Sequence, residues 1–513
     1  MGVPYLFAMM RKRYPSCVKY VRDSVCDSLF LDWNGGIHIA CRNVLEEIST
    51  MNVSGPELER KMIQRIVSDL HSTIEMANPQ KLVYIAIDGV APSSKISHQR
   101  KRRYKTVKDK EIMRQLKKQY NISDNTPFWD SNSITPGTNF MKTICQVLKT
   151  EIEQAPQYKN INIILSNADS PGEGEQKIIQ YIRSESSDKL GHCWIHGLDA
   201  DFIFLTLLTS HVSVTMWRDD PKQNCFLEID ELRKLLVSDL SSAKKESVNV
   251  IKDLVFLSNL LGNDFLPGML SLPIFPNGFD TLIRIYKQET EPIVKDENVI
   301  NLRVLHSILS ALKLQEEESI RKRVQRWKLS IPPTDLNPFV EAVERYEKNF
   351  PRIDIFKSTE YWVSSYYKYH NIQNKCVKDV CHDYLNGMKW VLDYYTGNSF
   401  SWKWFYKYDT SPLLRDILTH MEMFQFVNMD IGKPVPQDVQ LMCVLPPQSQ
   451  TLLKRDLQNV MKNAQHLCPT QIDELTWCKD KRHEGIPRLP KLSIGFMIKL
   501  YIDEMKKTKK QKY

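Results

Sequence analysis

The sequence predicts an α/β fold, a mainly parallel sheet flanked by helices, with a second, mostly helical and aromatic-rich region packed on it. Three observations lead there. Short apolar runs alternate with amphipathic stretches through residues 1–285, the pattern of strands joined by crossover helices. Those runs are continuously apolar, as strands buried on both faces are. Beyond residue 336 the strand pattern gives way to helical spacing rich in Trp, Tyr and Phe.

Taken in order, Ser28–Leu31, Leu82–Ile87, Ile161–Leu165, Cys193–Gly197 and Val212–Trp217 read as buried strands. Between them, Pro56–Ala77 places Leu58, Met62, Ile66, Leu70 and Ile74 on one helical face, and Asn139–Gln154 does the same with Phe140, Ile144, Leu148 and Ile152. Residues 286–335 read as a variable helical linker closed by Ile331-Pro332-Pro333, residues 336–480 as the second region, and 481–513 as a basic tail, frayed from Lys506 onward.

The chain has 513 residues, which suits two or three domains rather than one core. It contains no apolar run of about 18 residues, so no spanning helix is expected. Met1-Gly2-Val3-Pro4-Tyr5-Leu6 lacks the apolar core of a signal peptide, and Leu6 stands where a myristoylation signal carries Ser or Thr. The 11 cysteines are odd in number and form no CxxC pair, which argues against a zinc knuckle and for reduced thiols in the cytosol or nucleus.

Charge is concentrated. Eleven Lys/Arg and two acids lie within residues 95–118, a net +9 equal to that of the whole chain; the remainder balances at 59 against 59. A polyanion partner at one place is implied, with a solvated helix face as the plainer alternative.

Acids collect at the ends of the predicted strands, where open α/β sheets bind ligands. Asp32 ends Leu29-Phe30-Leu31-Asp32, and Asp88 ends Tyr84-Ile85-Ala86-Ile87-Asp88. Asp199 and Asp201 follow Gly197-Leu198; Glu173 and Glu175 open a helix in Pro171-Gly172-Glu173-Gly174-Glu175; Asp264 follows an apolar helix. Residues two apart in an extended segment share a face, so Glu173/Glu175 and Asp199/Asp201 each aim two carboxylates at one place. Any one of these acids is ordinary in a turn or cap. Seven together call for divalent cations, and all-oxygen ligands select Mg²⁺ or Mn²⁺. Two such ions roughly 3.5–4 Å apart activate water against a phosphodiester.

After Asp88 the chain reaches its basic segment. If Ser94 onward is helical, Lys95, Gln99, Arg102 and Arg103 line one face. Three cations and an amide make a cradle for a terminal phosphate beside a metal ligand.

These stretches resemble the Xrn/Rat-type 5′→3′ exoribonucleases over nearly the whole chain. The resemblance is carried by MGVPYLFAMMRKRYP, LFLDWNGGIH, AIDGVAPSSKISHQRKRRY, DSNSITPGTNFM, PGEGEQKII, HGLDADFIFL and LLGNDFLP, then by GMKWVLDYYTGNSFSWKWFY and IGKPVPQDVQLMCVLP. It implies a PIN/flap-nuclease-like core. It puts the metal-binding acids at Asp32, Asp88, Glu173, Glu175, Asp199, Asp201 and Asp264. The 5′-monophosphate pocket falls at Lys95, Gln99, Arg102 and Arg103. A base-stacking residue falls at His38, and a Trp clamps the stack from the other side: Trp390, with Trp402 as rival. The second region completes the pocket. The implied partner is single-stranded RNA with a 5′-monophosphate, degraded processively to mononucleotides in RNA decay by a monomer with two Mg²⁺ (or Mn²⁺) ions and no membrane attachment. The N-terminal segment with Gly2 would pack near the entrance and exclude duplex.

Departures from the family pattern are Gln176 where His is common, Ser93 where Arg is usual, and Gly36 where a bulkier residue follows the first Gly. The missing zinc knuckle favours the cytoplasmic branch; the long C-terminal domains of that branch are lacking. Two alternatives remain: a structure-specific DNA flap nuclease, and a catalytically silent RNA-binding scaffold.

Overall fold

The computed structural model describes the chain apart from residues 1–2, 4, 22–23, 49–54, 124–128, 220–222, 242–246, 330–336, 349–360, 478–483 and 512–513. Gly2 and Ile331-Pro332-Pro333 therefore lie outside the described residues.

Seven strands form one sheet: β1 (Val18–Lys19), β2 (Ser28–Asp32), β3 (Leu82–Ala86), β4 (Asn162–Ser166), β5 (Cys193–His196), β6 (Val214–Arg218) and β7 (Cys225–Glu228). Their order is β1-β7-β6-β5-β2-β3-β4. The five predicted strands are all present and mutually parallel; β6/β7 and β7/β1 pair antiparallel. Neither antiparallel strand was expected. At two residues, β1 is too short for an apolar run to announce it; β7 is as long as β5 and differs from it in pairing antiparallel.

Alternate side chains of each strand feed two cores, as a pleated strand requires. Leu29, Leu31, Val83, Ile85 and Trp194 face helices Trp33–Glu47, Gly55–Ala77 and Asn139–Gln154. Phe30, Tyr84, Ala86 and Ile195 face helices Gly174–Ser184, Asp201–Leu207 and Ile229–Leu240. The mainly parallel sheet with helices on both faces is thus as the sequence predicts.

The second core does not stop at the sheet. It runs on through helices Leu302–Lys313, Val377–Thr396 and Leu414–Met421, so the stretch expected as a linker is packed in the same core as the second region. That region is helical, as expected, apart from a small hairpin of β8 (Asp473–Leu475) and β9 (Ile486–Arg488). The tail differs from expectation. Ile494–Gln511 is one helix, held at its start by Met497, which is buried with Val439, Leu441 and Leu457.

Topology places the site. From β2 the chain moves outward through β3 and β4, then returns to β5 on the other side of β2. Strand order reverses between β2 and β5, and the crevice beyond the carboxyl ends of those two strands is where such sheets bind ligands.

Candidate functional site

Asp32 closes β2 and Asp88 follows β3; Asp199 and Asp201 follow β5, so all four lie at the carboxyl edge of the sheet beside the reversal. The helix Gly174–Ser184 points its first turn at the same edge. Its Gly174 amide donates to Asp88 Oδ1 at 2.7 Å. A Cβ on Gly174 would stand 2.5 Å from Asp32 Oδ1, so only glycine lets the Glu173–Glu175 segment come this close. Glu175, Asp199 and Asp201 bring one carboxylate oxygen each within 4.8 Å of the others. Glu173 and Asp264 are joined by Lys95, whose Nζ lies 2.6 Å from Glu173 Oε1 and 2.8 Å from Asp264 Oδ2. The structure thus gathers the seven predicted acids at one edge.

Their electrostatics are those of crowded, desolvated carboxylates. Burial, then repulsion from Asp88, Asp199 and Glu173, holds the Asp32 carboxyl well above its ordinary value. Burial with Asp199 and Asp201 does the same to Glu175. Burial with Asp199 and Asp264 pushes Asp201 up to about 7. Asp264 is the exception: burial opposes its charge, but Lys95 holds it below the usual carboxylate range. Asp32 Oδ1 and Glu175 Oε1 are buried without a hydrogen-bond donor among the described residues. Buried, unsatisfied, all-oxygen donors with raised proton affinity fit hard divalent cations, which would replace the protons.

The basic segment is one helix, Ser93–Gln119, started by Pro92 as an initiating residue often does. Lys95 and Gln99 are buried at its first turns; Gln99 Oε1 has no donor among the described residues. Arg103 Nη1 donates to Thr135 Oγ1 at 2.6 Å, which gives the DSNSITPGTNFM stretch its place as a wall. Burial and the like charge of Arg102 lower the Arg103 guanidinium to about 9. Arg102 itself is exposed. His38 is open to solvent on helix Trp33–Glu47, within reach of the same charges. Desolvation by the surrounding protein, then Arg102, Arg103 and Arg42, lowers its imidazole to about 4, so it is a neutral ring.

Trp390, expected to clamp the bases, lies in the core of this structure. It is 2% exposed, its indole N–H donates to Ser401 O at 2.9 Å, and it stacks on Tyr394 at 5.2 Å between ring centres. A side chain enclosed on its faces has none to offer a base. Trp402, the rival, is half-buried, and its carbonyl accepts from the Ser93 amide at 3.0 Å at the start of the basic helix.

Several contributors escaped the sequence reading. Tyr394 donates its hydroxyl to Glu173 Oε2 at 2.9 Å, and Asn34 Nδ2 donates to Asp88 Oδ2 at 2.7 Å. Lys177, buried, caps the carbonyls of Ile87 (2.8 Å) and Asn167 (2.7 Å), tying the acid-bearing helix to the ends of β3 and β4. Each lies inside a quoted motif, two to four residues from a predicted acid or aromatic, which is the only signal that pointed to them. The departures also find reasons. A Cβ on Gly36 would meet the Trp33 ring at 2.9 Å, so the small residue makes room for a large neighbour. Ser93 is buried, and its amide donates to the Trp402 carbonyl.

Residues 1–220 match the model of the XRN 5′-3′ exonuclease N-terminus, and residues 244–348 and 356–483 match that of the Xrn1 helical domain. The chain belongs to the XRN 5′-3′ exonuclease family. Among its XRN relatives, the 5′-3′ exoribonuclease 1 of Schizosaccharomyces pombe is 26% identical over 91% of this chain and 45% of the relative. The 5′-3′ exoribonuclease 2 of Candida albicans is 32% identical over 63% of this chain and 40% of the relative. Human 5′-3′ exoribonuclease 1 is 26% identical over 90% of this chain and 31% of its own length. The chain spans less than half the length of these curated relatives. Among solved structures, the catalytic core of Rad2 in complex with DNA substrate aligns over 71% of this chain and 86% of its own with 13% identity and a TM-score of 0.33, which carries no argument about substrate. No described helix is long and apolar enough to cross a membrane.

Proposed function

We propose that this XRN chain is a divalent-metal-dependent 5′→3′ exoribonuclease that releases mononucleotides processively from single-stranded RNA carrying a 5′-monophosphate. The observation that supports the reading is Lys95, whose Nζ pairs with Glu173 and Asp264 of the carboxylate cluster from the same helix that carries Gln99, Arg102 and Arg103. A terminal phosphate on that helix would lie next to the acids that act on the following linkage.

The division of labour follows from the contacts. Asp32, Asp88, Glu173, Glu175, Asp199, Asp201 and Asp264 would hold two Mg²⁺ (or Mn²⁺) ions. When bound, such ions supply an activated water and neutralise charge at the scissile phosphate. Tyr394 and Lys95 fix the two oxygens of Glu173, and the Gly174 amide and Asn34 fix those of Asp88, so the ligands are held before substrate arrives. Gln99, Arg102 and Arg103 would take the terminal phosphate dianion. Its charge would relieve the repulsion between the two guanidiniums. A neutral His38 on one side and Trp402 on the other would stack the leading bases, a contact worth ~1–3 kcal/mol per base. The cradle, with Lys95 and Gln99 buried at its base, would admit a monophosphate and leave no room for a cap or triphosphate. Action as a cytoplasmic monomer in RNA decay belongs to the same proposal.

The test is a time course in Mg²⁺ on 5′-monophosphate RNA and on a DNA flap of matched length. Mononucleotides from the RNA with little product from the flap are expected. Preferential flap cleavage would favour the DNA nuclease, and RNA binding without turnover would favour a silent scaffold.

A further inference from the structure

We propose that a cavity on the adjoining face of the basic helix is the exit site for the reaction product, a nucleoside 5′-monophosphate. The inference rests on the exonuclease reading above. The cavity has a volume of about 480 Å³ and is bordered by Asp264 and Phe265 at its catalytic end, by His98, Lys101 and Arg102 on the helix, and by Trp477 opposite. Its size falls within the roughly 300–1,000 Å³ of small-ligand sites. Its chemistry suits a nucleotide: cations on one wall for a phosphate, and aromatic rings on the other for a base.

The helix geometry links this cavity to the cradle. At ~100° per residue, the His98/Lys101 face lies a little over a third of a turn (~130°) round the helix from the Lys95/Gln99/Arg103 face. Arg102 stands between them and belongs to both. Among the described residues it makes no ion pair, so its guanidinium is able to serve either side.

The reaction itself requires a second route. Water adds to the phosphorus of the first internucleotide linkage, the bond from phosphorus to the 3′ oxygen of the leading nucleotide breaks, and that oxygen leaves as a hydroxyl. Two 5′-monophosphates result, one on the free mononucleotide and one on the shortened strand. Both fit the same cradle. The strand keeps the entrance filled in a processive cycle, so the mononucleotide must leave by another way. The cavity beyond Asp264 is that way. It is walled at its far end by the ion pair of Lys101 Nζ with Asp409 Oδ1 at 2.6 Å. Both residues also line a second, larger cavity of about 700 Å³ that includes Lys407 and Lys491. An ion pair with both partners partly exposed is a weak wall. A phosphate dianion competes directly with Asp409 for Lys101, and the lysines beyond draw it outward.

The test uses the full chain, adenosine 5′-monophosphate as probe, and Lys101→Glu as the variant. Equilibrium dialysis in EDTA reads the nucleotide affinity; rapid-quench and steady-state assays in Mg²⁺ on 5′-monophosphate RNA read the reaction. Lys101→Glu is expected to weaken nucleotide binding tenfold or more. Single-turnover cleavage should stay within twofold of the unsubstituted chain, while multiple turnover slows several-fold. Tyr408→Ala, on the rim of the same cavity, should move the same readouts and replaces Lys101→Glu if that variant fails to fold. Unchanged nucleotide affinity in a folded cavity variant would overturn the proposal, as would a loss confined to Arg103→Ala. Failure of the exonuclease reading has a different signature: the unsubstituted chain releases no mononucleotide, and the exit role falls with it.

Discussion

The α/β region and the helical region contribute to the same site in opposite ways. The first supplies charge. Its seven acids and its cations sit on strand ends, one helix start, the loop after an apolar helix and one long helix, positions set by backbone topology. The second supplies neutral support. Tyr394 holds Glu173, Trp402 meets the first residue of the basic helix, and Gln440 Oε1 accepts from the Ala91 amide just before it at 2.8 Å. Charge placed at chain-determined positions needs an outer layer to hold it, because crowded carboxylates push each other apart. The reactive groups thus all belong to the first region, while both regions hold them in place.

The largest effects should come from the charged side. Asp199→Ala is expected to remove turnover by about three orders of magnitude, ~4 kcal/mol in barrier, while circular dichroism stays unchanged. An active variant would break the assignment of chemistry to the first region. Next come the two tryptophans, which separate support from contact. Trp390→Ala should destabilise the protein by ~3–5 kcal/mol, as buried aromatic deletions do, seen in urea unfolding. Trp402→Ala should leave stability nearly intact and raise KM for RNA several-fold. The reverse pattern would mean that the base-stacking face is Trp390 after all.

Much of this was legible in the sequence, for a reason visible in particular residues. Asp32, Asp88 and Asp199 end apolar runs, so their position at a sheet edge follows from strand periodicity. Lys95, Gln99, Arg102 and Arg103 follow from helical spacing once Pro92 marks the start. The second region offered no such rule. Tyr394 reaches Glu173 across 221 positions of sequence, and no local period encodes which of two neighbouring buried tyrosines meets that carboxylate. Trp390 and Trp402 differ in burial, not in spacing, and burial is a tertiary property. The edge strand β1 was missed because two residues carry no pattern; β7, as long as β5, has no comparable reason in its length.

A smaller effect sharpens the support role. Tyr394→Phe removes one hydrogen bond to a buried carboxylate, a change of ~1–2 kcal/mol. It should lower kcat about tenfold with little change in KM; an equal loss from Ser401→Ala, whose backbone alone meets Trp390, would show that packing rather than the hydroxyl matters. The smallest effect is on stability against pH. Asp201 titrates at about 7 in the folded protein, above its unfolded value of ~4. The folded state therefore binds the extra proton. Its contribution is fully present below pH ~4 and is lost as pH rises through about 7. In EDTA, melting temperature should fall over that window, Asp201→Asn should flatten the slope, and Mg²⁺ should restore stability at the alkaline end. A slope unchanged in Asp201→Asn would place the strain elsewhere in the cluster.

The most direct test of the central claim, that one helix joins the terminal-phosphate cradle to the carboxylate cluster, is end selectivity. RNAs of one sequence bearing a 5′-monophosphate, a 5′-triphosphate or a cap are incubated with the protein and Mg²⁺, and mononucleotide release is followed in time. The account predicts rapid release from the monophosphate and little from the other two, with the preference reduced in Arg103→Ala. Equal release from all three ends would contradict it.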